Sequence, residues 1–166
     1  MAKDFPKYTA ELESLRGHLY KKINNYEKRN PDKLSLIHAD LHFGNMIWNK
    51  GVVQPIDFDD CGYGLELYDI AVTLAQSSNY FKKVGLKETR LSKEALLRGY
   101  SVYKELTDVD IDILPYFVAA RELAMIGWLY ERRDNPELWD YLRKNLATRK
   151  KKTKKYIKQA DTKTYL

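Results

Sequence analysis

Residues 36–60 read L-I-H-A-D-L-H-F-G-N-M-I-W-N-K-G-V-V-Q-P-I-D-F-D-D, and this stretch decides the fold. Two short apolar runs flank the turn Asn49-Lys50-Gly51, an arrangement typical of a β-hairpin. Seven polar side chains lie at the ends of the hairpin: His38, Asp40, His42, Asn45, Asp57, Asp59 and Asp60. So many polar groups are unsuited to a hydrophobic core. They indicate a site that holds metal ions and moves a proton or a phosphoryl group.

The spacing of these residues fits the requirements of phosphoryl transfer. That reaction needs a carboxylate to receive the proton of the acceptor hydroxyl, and oxygen ligands to hold Mg²⁺ on the nucleotide phosphates. The kinase catalytic loop supplies them as H-x-D-x-x-x-x-N, followed by an Asp on the next hairpin strand. His38, Asp40 and Asn45 have this spacing, and Asp57 follows the hairpin. Order, spacing and hairpin together predict a phosphotransferase site.

Three motifs, H-A-D-L-H-F-G-N, I-D-F-D-D-C-G-Y-G and L-Y-D-I-A, resemble those of the aminoglycoside phosphotransferase and choline kinase-like family. The resemblance covers residues 34–74. It implies an α+β, mainly helical fold, namely the C-terminal lobe of a protein-kinase-like fold with a small catalytic β-hairpin. It also implies an ATP-dependent phosphotransferase whose acceptor is an alcohol group of a small molecule. Asp40 would be the catalytic base, and Asn45 and Asp57 would hold Mg²⁺.

The resemblance implies supporting roles for four further residues. Asp69, in L-Y-D-I-A, matches a buried family carboxylate that braces the catalytic loop through its backbone amides. His38 would hold the same loop by packing and hydrogen bonding. His42 and Asp59 also match the family pattern and are additional candidates for the site.

The segment before Asp40 lacks the parts of a nucleotide-binding lobe. Residues 1–33 are typical of one Lys-rich helix, with no Gly-rich loop and no Lys-bearing strand. We therefore expect a C-terminal lobe alone, residues 1–148, followed by a basic tail of residues 149–166. We expect a missing N-terminal lobe or a homodimer partner to cover its apolar surface. The isolated chain is expected to be inactive or weakly active.

The composition is that of one globular domain of 166 residues, with 44% hydrophobic and 31% charged residues. A single cysteine excludes an internal disulfide and, with no signal-peptide core or membrane span in the sequence, favours the cytoplasm. The formal net charge of +6 is concentrated in residues 149–166, which carry eight Lys or Arg and one Asp. We expect this tail to be a solvated or frayed end, and we expect no specific nucleic-acid partner.

Hydrophobic periodicity predicts helices at 8–29, 65–81, 92–106, from 107 or 110 to 133, and 136–156. Short strands are predicted at 34–37, 45–48 and 52–58, with a loop at 61–64 and a polar linker at 85–91. Cys61 is expected to be a small buried side chain. Arg121 and Glu122 interrupt an apolar helix; their simplest interpretation is a paired or rim-exposed couple, the alternative being that they face a substrate cleft.

Two alternatives to the phosphotransferase stay open from the sequence. In the first, His38, Asp40 and His42, with Asp57, bind a transition metal and drive hydrolysis. In the second, the chain is a lobe that folds and binds partners without catalysing a reaction. The phosphoryl acceptor is not specified by any of these residues.

Overall fold

The structure, a computed structural model, describes residues 1–83 and 90–165. Its elements in chain order are α1 (Pro6–Arg29), β1 (Leu34–Ile37), β2 (Met46–Asn49), β3 (Val52–Pro55), β4 (Gly62–Leu65), α2 (Leu67–Lys83), α3 (Arg90–Ser101), α4 (Asp108–Glu131) and α5 (Pro136–Asp161). The fold is therefore α+β and mainly helical, as the sequence predicts. Most of the linker expected at 85–91 lies outside the described residues.

Helix α4 is the central element of the core. Its apolar residues face all sides, and α1, α2 and α5 pack around it. Each of the three buried clusters contains residues of α4, such as Phe117 in the first, Ile126 in the second and Ala119 in the third. Among the described helices, none is long and apolar enough to cross a membrane.

A buried carboxylate fixes the start of α4 against α1. Thr107 and Asp110 form a capping box, in which each side chain bonds the backbone N–H of the other. Asp110 is 1% exposed and also accepts hydrogen bonds from the Tyr26 hydroxyl and from Lys33, the latter at 3.1 Å. Burial raises the pKa of Asp110, but the hydrogen bonds from Tyr26, Thr107 and Lys33 outweigh burial, so the pKa lies below its usual value.

We expect Asp110 to make folding stability depend on pH in acid. Because its pKa in the fold lies below the usual 3.8, its contribution is complete above that pH and is lost as the pH falls through the folded value. Urea unfolding between about pH 2 and about pH 6 should show a smaller acid loss in Asp110→Asn than in the wild type. Asp140→Asn removes an exposed carboxylate and is the control. A wild-type pH slope in Asp110→Asn would contradict the expectation.

The four strands form two antiparallel pairs. Strands β2 and β3 form the expected hairpin, and its two turn residues, Lys50 and Gly51, both have positive φ (47° and 87°), as a type I′ turn requires. The return strand ends at Pro55, three residues earlier than expected, because proline has no N–H for the ladder. The next residue, Ile56, instead donates its N–H to the Asn45 carbonyl at 2.9 Å.

The expectation of a loop at 61–64 is wrong. Residues from Gly62 onward form β4, which pairs with β1 and supplies the partner that a four-residue strand needs for its backbone groups. A side chain at Gly64 would place its Cβ 2.6 Å from Ile37 Cδ1, so glycine permits the close approach. Cys61 is exposed rather than buried.

The helix bounds differ from the predicted ones where tertiary contacts decide them. Helix α2 begins at Leu67 because Leu65 belongs to β4, and α3 spans Arg90–Ser101 rather than 92–106. Helix α5, which was expected to end at 156, continues to Asp161, so the expectation of a solvated or frayed end over residues 149–166 is wrong. One face of this part of α5 is buried, at Arg149, Thr153, Ile157 and Ala160. These residues recur every three or four positions, which is the period of an amphipathic helix.

Candidate active site

The loop that connects β1 to β2 is held by two residues of α2. Asp69 Oδ2 accepts a hydrogen bond from the His38 N–H at 2.9 Å, and Oδ1 accepts one from the Ala39 N–H at 2.8 Å. One turn later, the Thr73 hydroxyl donates to the Leu41 carbonyl at 2.6 Å. Ala39 has a φ of 62°, a left-handed conformation that residues other than glycine seldom adopt. The half-buried Asp69 therefore holds a strained stretch of backbone directly before Asp40.

Ile56 connects this loop to the segment that carries Asp57. Its N–H donates to the Asn45 carbonyl, and its carbonyl accepts from His38 Nε2 at 2.9 Å. Since a carbonyl only accepts, Nε2 carries the proton of the His38 ring. The ring is buried and lies 4.7 Å from the Phe58 ring, measured between centroids. Asp57, which follows Ile56, has a φ of 63° and an exposed side chain.

Three side chains surround the carboxylate of Asp40. Arg121 Nη2 contacts Oδ1 in a short ion pair. On the other oxygen, Asn45 Nδ2 lies 3.3 Å and His42 Nε2 lies 3.5 Å from Oδ2. The Asp40 side chain is 21% exposed, so solvent and a small molecule can reach it. The two oxygens are thus unequal: Oδ1 is held by a guanidinium, and the contacts of Oδ2 with the described residues are long.

The structure brings His42 to this carboxylate but does not bring Asp59 there. His42 Nδ1 accepts a hydrogen bond from the Gly44 N–H at 2.9 Å, which orients the ring towards Asp40. A Cβ at Gly44 would lie 2.7 Å from His42 Cε1, so a larger residue would displace the ring. Asp59 lies in an exposed turn, and within the described residues its carboxylate has no hydrogen bond or ion pair.

Asn45 and Asp57 present oxygen atoms that suit a hard divalent cation. Both hydrogen bonds of the buried Asn45 amide use Nδ2, which faces the carbonyl and the carboxylate of Asp40. Because both neighbours are acceptors, the amide orientation is determined, and its Oδ1 is the atom that could bind a cation. The Asp57 carboxylate is exposed. A cation held by one or two protein oxygens, with phosphate and water as its other ligands, is typical of Mg²⁺.

The transition-metal alternative does not fit this geometry. In the part of the chain that the structure describes, no group of three or more His, Cys, Asp or Glu side chains is arranged to hold a metal. The Nε2 of His38 is engaged by the Ile56 carbonyl, and its Nδ1 is buried. His42 contributes only Nε2, since its Nδ1 accepts from Gly44. The two imidazoles therefore do not converge on one ion.

The expectation that Arg121 and Glu122 form a couple is wrong. Arg121 contacts Asp40, whereas the buried Glu122 pairs with Arg149 at 2.9 Å and with Lys152 at 3.5 Å. Successive residues on a helix do not face each other, so each charge needs its own partner. The sequence could have indicated that Arg121 and Glu122 each have a separate partner, because both charges lie within an apolar helix. Likewise, the spacing of four between Asp69 and Thr73 could have indicated that both contact the same loop.

A comparison with models of protein families identifies the family of this chain. A family model described as "Phosphotransferase enzyme family" matches residues 2–106, which is more than half of the chain. The chain therefore belongs to this family. Its described part corresponds to a helical C-terminal lobe of the protein-kinase-like fold, with the small hairpin of β2 and β3.

Individual relatives are small-molecule kinases. The amicoumacin kinase of Bacillus subtilis (strain 168) is 31% identical over 111 residues, which are 64% of this chain and 32% of that protein. A solved microcompartment-associated aminopropanol kinase superposes with a TM-score of 0.74 and 27% identity, over 93% of this chain and 46% of that one. The amicoumacin kinase hAmiN, solved with AMP-PNP, Ca²⁺ and Ami, has a TM-score of 0.60 and 25% identity, over 81% and 43%. The chain thus spans less than half of the length of each relative.

Proposed function

We propose that this chain is the base-carrying lobe of an ATP-dependent phosphotransferase that acts on a hydroxyl group of a small molecule. The proposal rests on the hydrogen bonds that connect two segments carrying the candidate site residues. The loop with Asp40 and Asn45 is held by Asp69, and it bonds through Ile56 to the segment with Asp57. The names of the aminopropanol and amicoumacin kinases support a small acceptor, and the bound AMP-PNP of one of them supports a nucleotide donor.

In this proposal Asp40 acts as the base. The acceptor oxygen forms a bond to the γ-phosphorus of ATP while the bond from that phosphorus to the ADP oxygen breaks. The acceptor proton passes to Asp40 Oδ2, the oxygen with only long contacts, and then to solvent. Asn45 and Asp57 would hold Mg²⁺, which would offset negative charge on the phosphates. The products are the phosphorylated alcohol and ADP.

The hairpin is the surface that we assign to a nucleotide-binding lobe. Its exposed apolar side chains lie on both faces, Trp48 and Val53 on one and Ile47 and Val52 on the other, and they are exposed by between 48% and 71%. A two-stranded hairpin with exposed apolar side chains is only marginally stable by itself, and exposed apolar side chains of this kind mark an interaction surface. The alternative is that a second copy of the chain covers this surface, in which case the chain would be a non-catalytic binding module.

The single cysteine favours the cytoplasm, where ATP is the phosphoryl donor.

Calorimetric titration of this chain with Mg²⁺ and ATP tests the proposal. We expect weak binding that Asp57→Ala abolishes, because the exposed carboxylate is one of two protein ligands for the cation. Asp134→Ala, which removes an exposed carboxylate between α4 and α5, should bind as the wild type does. Binding that Asp57→Ala leaves unchanged would contradict the assigned metal ligand. Absence of binding together with dimer formation would favour the binding module.

The acceptor is tested by assaying phosphoryl transfer in the complete enzyme, defined as this chain with its nucleotide-binding lobe. A panel of small alcohols, including an amino alcohol and an aminoglycoside, is incubated with Mg²⁺ and ATP. Phosphorylated product that depends on Asp40 would support the function. ATP hydrolysis without transfer to any of these hydroxyl groups would contradict it.

A further inference from the structure

We propose that Arg121 is a positioning residue that fixes Oδ1 of Asp40 and so leaves Oδ2 to take the acceptor proton. The inference rests on the proposed function of Asp40. Arg121 lies outside residues 2–106, which the family model matches, so the family motifs do not contain it. It is 81 positions from Asp40 in the sequence, and only the fold brings the two side chains together.

The contacts show that the guanidinium of Arg121 is paired with Asp40. Its Nη2 pairs with Oδ1, its side chain is 13% exposed, and its Nε is buried without a hydrogen-bond partner. Asp40 is the acceptor that the structure gives it among the described residues. A largely buried guanidinium with one acceptor loses free energy if it turns away, so its position and that of Oδ1 are fixed together.

The backbone positions of the two residues depend on the same pair of helices. Arg121 lies on α4, which packs against α2, and α2 carries Asp69, which holds the loop before Asp40. On another side of α4, the buried Glu122 pairs with Arg149 of α5. Asp69 thus fixes the main chain of the loop, and Arg121 fixes the side chain of Asp40.

Fixing one oxygen matters because phosphoryl transfer depends mainly on positioning. A carboxylate can rotate about its last bond and exchange its two oxygens, and only one orientation places an oxygen beside the attacking hydroxyl. A misplacement of about 1 Å costs roughly 100-fold in rate. An arginine suits this task because its planar donors hold a carboxylate oxygen in a defined direction.

The pair is tested first without an activity assay, in this chain. Nitrogen-detected NMR of the arginine side chains should show slow rotation of the Arg121 guanidinium in the wild type. Asp40→Asn should abolish the slow rotation because the charged acceptor is removed. Slow rotation that persists in Asp40→Asn would overturn the pair, whatever the result with enzyme activity.

Kinetics of the complete enzyme test the positioning role. In Arg121→Ala we expect kcat to fall about 100-fold while KM for the acceptor stays within about twofold. Arg121→Lys should recover part of kcat, and added guanidinium ion should partly rescue Arg121→Ala. Arg132→Ala removes an exposed arginine at the end of the same helix and should leave both constants unchanged.

The outcomes separate this inference from the proposed function. A rise in KM with unchanged kcat would make Arg121 an acceptor-binding residue and would overturn the positioning role. Unchanged constants in Arg121→Ala would also overturn it. Failure of both the wild type and Arg132→Ala to transfer a phosphoryl group would instead overturn the proposed function.

Discussion

Replacing Asp40 by asparagine is expected to lower kcat of the complete enzyme by about 10²- to 10⁴-fold, the usual contribution of a positioned base. The affinity for Mg²⁺ and ATP should stay within about twofold, because Asn45 and Asp57, which would hold the cation, are unchanged. An amide has nearly the shape of the carboxylate but cannot accept the hydroxyl proton. A coupled assay of ADP release gives kcat, and calorimetric titration gives the affinity.

The matched variants give different results in the same two measurements. Asp57→Ala should lose nucleotide affinity, and Asp134→Ala should lose neither affinity nor turnover. Of these three aspartate variants, Asp40→Asn is therefore expected to lose turnover while keeping its affinity. Unchanged turnover in Asp40→Asn would exclude Asp40 as the base, and a parallel loss of affinity would indicate that its charge helps to hold the cation.

The sequence predicts the hairpin and its turn because the determinants are local. Lys50 and Gly51 lie between two apolar runs, and a two-residue turn fixes the register of the strands that flank it. The spacing of Asp40 and Asn45 is likewise contained within eight residues of motif. The structure places both on one loop and connects Asn45 to Ile56, next to Asp57.

Strand β4 could not be predicted in the same way because its partner is distant. Cys61-Gly62-Tyr63-Gly64 contains two glycines, a composition typical of a loop. Its pairing with β1 depends on the chain returning after the hairpin, and on Gly64 leaving room for Ile37. Local propensity is overridden here by the need of β1 for a hydrogen-bonding partner.

The partners of the charged residues were the hardest feature to predict. The many lysines near the C-terminus favour a solvated tail, yet Arg149 is buried and pairs with Glu122, and α5 continues beyond it. Arg121 and Glu122 are adjacent in the sequence but point to different partners. Which carboxylate a buried arginine meets depends on how α4, α5 and the loop pack together, and that information is not local.

Replacing Asp69 by alanine is expected to destabilise the fold by about 3 kcal/mol. The change removes two hydrogen bonds to a charged acceptor, each worth about 1.5–3 kcal/mol, from the N–H groups of His38 and Ala39. Ala39 would also lose the contact that compensates its left-handed conformation. Urea unfolding gives the loss of free energy. Asp140→Ala, which breaks an exposed pair with Lys144, should cost less than about 0.5 kcal/mol.

Hydrogen exchange distinguishes bracing of the loop from a general effect on α2. In Asp69→Ala the amides of His38 and Ala39 should lose their protection, and binding of Mg²⁺ and ATP should weaken because Asn45 lies on the same loop. Thr73→Val removes the single neutral bond to the Leu41 carbonyl and should cost only about 1 kcal/mol. If both amides kept wild-type protection in Asp69→Ala, the loop would be held by its other contacts, chiefly that of His38 with Ile56. Loss of protection with the rest of α2 intact would show that one carboxylate determines the backbone from which Asp40 projects.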